Sequence, residues 1–189
     1  MAITVAGVKT ELREVVLKAK PEEFLEVSPS KTVPTLVFDD TVIDESFDIM
    51  CWALKKNDPQ NWLKMPKSGY ELIEEIDGPF KSFLDKTKYS NKYPTEDPKE
   101  NRNKASNYLI WMDDKLHCGF LFGRQQCLAD IAIFPFVRQF AFIDKVWFDE
   151  QPWESLKRWL NFFIEWDLFK CVMKKYPPWK LDDTTTFFP

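Results

Sequence analysis

Few residues in this chain could do chemistry, and most of them are excluded by their neighbours. There is one histidine, His117, so any Ser-His-Asp relay must pass through it, and flanking Leu116 and Cys118 predict a packed position. The cysteines Cys51, Cys118, Cys127 and Cys171 show neither a CxxC pair nor metal-ligand spacing. Their apolar neighbours predict reduced, buried thiols. Asp39-Asp40, Asp113-Asp114 and Asp182-Asp183 read as turns or solvated ends rather than acid/base couples. Only 5 glycines are present, and no phosphate-cradling loop is among them. Tyr108 and Trp111 are three apart on one helix face with Met112 beside them, as a ring-lined pocket or as core. Val33-Pro34 and Glu45-Ser46, taken singly, read as an ordinary trans strand start and an ordinary helix cap.

The elements that must position these residues fall into two parts. Glu11–Leu17, rich in Val and Leu, predicts a strand. Pro21 then opens a short helix with acids in its first turn, and Ser28-Pro29-Ser30-Lys31 breaks it. Thr32–Phe38, the turn Asp39-Asp40 and Thr41–Ile43 predict two antiparallel strands. From Glu45 onward Phe47, Met50, Cys51 and Leu54 recur at helical spacing. Beyond the polar stretch Asn57–Asn61 the chain reads as helix throughout. Its stripes are Tyr70/Ile73/Ile76/Phe80/Phe83/Leu84, Ala105/Tyr108/Leu109/Met112/Leu116, Leu156/Trp159/Leu160/Phe163 and Phe169/Val172/Met173/Tyr176. Thr95 or Asp97 with Pro98 opens the second of these. The tail from Pro177 has no period and is expected on the surface. The fold class is therefore α+β, with a small mixed domain over 1–56, a linker over 57–66 and an all-helical domain over 67–189.

Composition fits this picture and removes several function classes. Hydrophobic residues make up 44%, charged residues 30% and aromatics 16%, with 17 Phe and 8 Trp, so large rings build the core. The net charge is −4 and no Lys/Arg stripe stands out, which argues against nucleic acid as a partner. Uncharged runs stop at about eight residues, against roughly 20 for a membrane span. The apolar opening Met1–Gly7 lacks the positive lead-in of a signal peptide, so a cytoplasmic location is expected.

Two motifs make the order of domains specific. Thr32-Val33-Pro34-Thr35-Leu36-Val37 followed by Ile43-Asp44-Glu45-Ser46, and then Leu128-Ala129-Asp130-Ile131-Ala132-Ile133-Phe134-Pro135, resemble the two halves of the cytosolic glutathione S-transferase family, bacterial or omega-like. The resemblance runs from about Ala2 to Trp179. It implies a thioredoxin-like first domain and a helical-bundle second domain. It also implies a cis Val33-Pro34 bond that turns the Val33 peptide groups toward the cysteinyl part of glutathione. Ser46 and the helix start would hold the γ-glutamyl carboxylate, with Glu45 near the α-amino end. Lys20 resembles the lysine that reaches the glycyl carboxylate, a role that Lys18 or Lys31 could also fill. A small hydrophobic electrophile would lie against Tyr108, Trp111 and Met112. The implied cofactor is glutathione as co-substrate, with no metal, and the implied assembly is a homodimer using the helices at 45–56 and 67–86.

Two departures bear on function. The family places Ser or Thr three residues before the aspartate of its second motif, whereas Cys127, a poor acceptor, stands before Asp130 here. Met1 aligns inside the family's first helix, so the strand and the thiol-activating Tyr, Ser or Cys that precede it are expected upstream of Met1, and no catalytic residue is assigned. The first domain is thus expected to be a truncated thioredoxin-like unit with an open sheet edge. Two functions follow: glutathione conjugation to or removal from an electrophile, in detoxification or thiol reduction, or a non-catalytic binding or protein-interaction module on the same fold.

Overall fold

A computed structural model describes residues 1–189. Contacts divide the chain into two units, Met1–Asn61 with Leu168–Pro189, and Trp62–Asp167.

In the first unit, α1 (Ala2–Ala6) ends at Gly7, whose φ of 67° is the left-handed turn glycine adopts without a Cβ penalty. Buried Ala2 and Ala6 face the Ile49, Ala53 and Leu54 side of α3 (Ser46–Lys56), and Asn57 Nδ2 donates to the Ala6 carbonyl at 3.1 Å. α2 (Glu22–Val27) opens at Pro21 with Glu22 and Glu23 in its first turn. β2 (Leu36–Phe38) and β3 (Thr41–Ile43) pair antiparallel with Phe38 opposite Thr41 across the Asp39-Asp40 turn, as the sequence pattern predicts, but β2 starts at Leu36 rather than Thr32. Phe38 packs on Trp52 of α3 with centroids 5.0 Å apart.

The expected strand over Glu11–Leu17 is shorter and lies elsewhere. β1 is only Thr10–Glu11, and Val16 and Ala19 instead bridge a tight turn. The reason is its partner: β1 pairs antiparallel with β4 (Phe187–Phe188), a two-residue strand from the tail. Periodicity alone assigns all of 67–189 to one helical body, yet the residues after Asp167 group with the first unit. β1–β4 and β2–β3 are separate two-stranded ladders.

The second unit is built from α4 (Lys67–Glu75), α5 (Lys81–Lys88), α6 (Pro98–Lys115), α7 (Leu128–Ala141), α8 (Lys145–Glu150) and α9 (Glu154–Glu165). Asp97 caps α6, its carboxylate accepting from the Lys99 N–H, as the Asp-Pro pair predicts. The stripe from Tyr70 to Leu84 is not one α-helix. A π turn over Ile76–Phe80 contains Pro79, which lacks the N–H needed to continue the α ladder. The core is aromatic: Phe134, Trp159 and Phe163 are buried, with Phe163 lying 5.1 Å from Phe134 and 5.2 Å from Trp159. The final stripe forms only α10 (Asp167–Val172), which stops ahead of Pro177-Pro178.

Candidate functional site

Asp44 organises the loop that carries Val33. It follows β3, and its carboxylate accepts from Ser28 Oγ at 3.2 Å, the Ser30 N–H at 2.7 Å and Thr35 Oγ1 at 2.9 Å. Thr35 Oγ1 also lies 3.0 Å from the Thr32 carbonyl, closing a bracket around Val33 and Pro34. Ser28 is buried beneath this bracket. The bond to the Ser30 backbone, aided by the hydroxyls, holds the Asp44 carboxyl below its ordinary range.

Inside the bracket the Val33–Pro34 bond is cis. Val33 is 42% exposed, and no hydrogen bond within the chain uses its N–H or C=O. Asp44 is covalently next to Glu45 and Ser46, both exposed, with Glu45 as the N-cap residue and Ser46 as the first residue of α3. One carboxylate therefore joins the Val33 loop to the start of α3. The helix end supplies the positive pole that favours a carboxylate.

Lys20 is placed differently from its implied role. Its ammonium donates to the Lys31 carbonyl at 2.6 Å, tying the two ends of the α2 segment together. In the second unit Tyr108 is half-buried, edge-on to Phe80 at 5.9 Å, and Trp111 is 44% exposed with Lys115 over its ring. Met112 is fully buried in the core.

The comparisons bear on this geometry. Residues 1–56 match the glutathione S-transferase N-terminal domain family. Among solved structures, a bacterial glutathione transferase, BphK, aligns at 20% identity over 91% of this chain and 90% of its own, with a TM-score of 0.75. The chain has the glutathione transferase fold. A glutathione transferase family member from Pseudomonas fluorescens, solved with two glutathione molecules bound, aligns at 19% identity over 90% of this chain and 85% of its own, with a TM-score of 0.75. A delta-class glutathione transferase from Nilaparvata lugens aligns at 24% identity over 85% of this chain and 78% of its own, with a TM-score of 0.69. The curated proteins include no significant sequence match.

Within this transferase fold the second motif has a structural task. Asp130 is fully buried, and its carboxylate accepts from the Leu121 N–H at 3.0 Å, the Cys127 N–H at 3.0 Å, the Cys127 thiol at 3.3 Å and Trp159 Nε1 at 2.8 Å. Cys127 thus serves as the cap partner, although its sulfur is a weak acceptor. Burial, reinforced by Asp130, pushes its thiol up to about 12, so it stays protonated at neutral pH and is no nucleophile. Burial also raises the Cys51 thiol.

Two sequence expectations are corrected. His117 is exposed, its Nδ1 lying 2.8 Å from the Asp114 carbonyl, because the helical turn at Leu116–Cys118 buries only Leu116. Cys118 and Cys171 are exposed rather than buried. Sequence reasoning missed Asp44, whose partners lie 16, 14 and 9 residues away and leave no local pattern.

Proposed function

We propose that this chain binds glutathione at the Val33 loop and the start of α3. Val33 would pair its peptide groups with the cysteinyl part, Ser46 and the positive end of α3 would hold the γ-glutamyl carboxylate, and Glu45 would face the α-amino group. The observation that carries this reading is exposed Val33, its peptide groups unbonded within the chain, in a loop tied to Asp44, the residue before Glu45 and Ser46, inside the 56 residues that match the transferase domain. The bound thiol would be conjugated to, or released from, a small hydrophobic electrophile. Lys20 keeps a glycyl-carboxylate role only by exchanging its bond to Lys31. The proposed location is cytoplasmic. No helix is long and apolar enough to cross a membrane.

A second reading, a non-catalytic interaction module, is favoured by the exposed Val16, Leu17, Leu25 and Val27 in the first unit. Calorimetry separates the two. Glutathione at millimolar concentration is expected to bind, and Ser46→Ala is expected to weaken binding roughly fivefold to tenfold by removing one hydrogen-bond donor. Heat-silent titration of the unaltered chain would leave the interaction module as the function.

The same reading includes a homodimer, since a small two-ladder unit buries little apolar surface by itself. Light scattering at micromolar concentration is expected to give twice the chain mass of 22.4 kDa. A mass of one chain would remove the dimer.

A further inference from the structure

We propose that the segment Thr184–Phe188 is an exchangeable strap on a strand-accepting edge of β1, and that the partner this edge takes when the strap leaves is the same segment of a second copy of this chain. The proposal stands on the tail alone and not on glutathione binding.

The tail lies along the whole β1 region. Thr10 is opposite Phe188 and Glu11 opposite Phe187, the Leu12 N–H donates to the Thr186 carbonyl at 2.8 Å, and the Trp179 N–H donates to the Glu14 carbonyl at 2.9 Å. Thr10 Oγ1 adds a bond to the Phe188 carbonyl at 3.0 Å. Outside the ladder, Lys9 sits 3.9 Å over the Phe187 ring and Arg13 sits 4.7 Å over Trp179. Every backbone contact uses Thr10, Leu12 or Glu14, the residues whose peptide groups face one edge of an extended chain.

Three features make the occupant exchangeable. The paired strand is two residues long, so its release breaks few bonds. Phe187 is 52% exposed, so its ring is not locked into a core. Residues 173–186, which connect it to α10, hold no helix or strand and can carry it away without unfolding an element. The occupant is a second copy because the segment that fits this edge is the chain's own. Thr-Thr-Thr-Phe-Phe is β-branched and aromatic, suited to extended pairing. Exchange of an identical element between copies reproduces every cis contact and needs no new surface.

The pairing alternates, which supplies a control. Leu12 bonds to Thr186, so Thr10 and Phe188 form the next hydrogen-bonded pair, while the Phe187 N–H points away from β1. Phe188→Pro removes a ladder donor and Phe187→Pro does not. In the full chain, amide exchange at Thr10 and Leu12 is expected to rise about tenfold or more in Phe188→Pro and to stay within about twofold in Phe187→Pro. A synthetic Thr184–Pro189 peptide is expected to restore protection in Phe188→Pro. Carrying a spin label, the same peptide is expected to broaden the Lys9–Glu14 resonances of the unaltered chain. Unchanged exchange in Phe188→Pro, equal acceleration in both variants, failure of the peptide to restore protection, or no broadening at millimolar peptide would each overturn the proposal.

Discussion

Replacing Asp130 with alanine is expected to cost the helical unit about 3 kcal/mol or more, because three buried N–H donors lose their acceptor at about 1–3 kcal/mol each. Those donors are the Leu121 and Cys127 amides and Trp159 Nε1, all aimed at one carboxylate that has no exposed surface. Against a typical domain stability of about 5–15 kcal/mol, the loss leaves a marginal unit. Urea unfolding followed by tryptophan fluorescence reads it, and a loss under about 1 kcal/mol would show that water or backbone movement replaces the carboxylate.

The same residue sets a pH slope. Burial raises the Asp130 carboxyl above its ordinary value of 3.8, with the surrounding donors pulling the other way. The folded chain therefore holds this proton more tightly than the unfolded chain does. Its contribution is present in full below the unfolded value and is lost as pH rises through the raised folded value. Asp130→Asn cannot ionise, so its unfolding free energy is expected to lack that decline. An identical slope in the wild type and the Asn variant would assign it to other groups.

The architecture was legible in the sequence where a single element carries its own signal. The α6 and α9 stripes, the Asp97-Pro98 cap and the Asp39-Asp40 hairpin all depend on neighbours a few residues apart. Residue types alone could not show pairing across 178 positions, which is how Thr10 meets Phe188. That pairing shortens the expected strand at Glu11 and moves the tail out of the helical body. Pro79 was visible, but the π turn that absorbs it within a continuous apolar stripe was not. At the candidate site, the resemblance supplied Val33, Pro34, Glu45 and Ser46. Asp44 lies inside the same motif but received no role, because a carboxylate acting through three partners in a loop has no spacing to recognise. Met112 shows the reverse error: a residue on a helix stripe belongs to the core more often than to a pocket.

Asp44→Ala is expected to weaken glutathione binding by on the order of ten- to a hundredfold while leaving the helical unit intact. The reasoning runs through position, since Asp44 touches no proposed ligand group. Its carboxylate fixes the Ser30 amide and the Thr35 hydroxyl on either side of Val33, so its loss frees the loop that presents Val33. A freed loop must be ordered again by the ligand, and that cost appears as lost affinity. The sign in pH is opposite to that of Asp130. The folded carboxyl titrates below its ordinary value of 3.8, so its ordering effect is complete above that value and disappears as pH falls through the lowered one. Glutathione affinity is therefore expected to be flat in this term at neutral pH and to fall in the acid range in the wild type, and Asp44→Asn should keep part of the affinity through its remaining acceptor oxygen. Calorimetry gives the affinity, and tryptophan-monitored urea unfolding checks the helical unit in the same samples. Wild-type affinity in Asp44→Ala would show that the Val33 loop holds its shape without this carboxylate, and the link between Asp44 and the site would be lost.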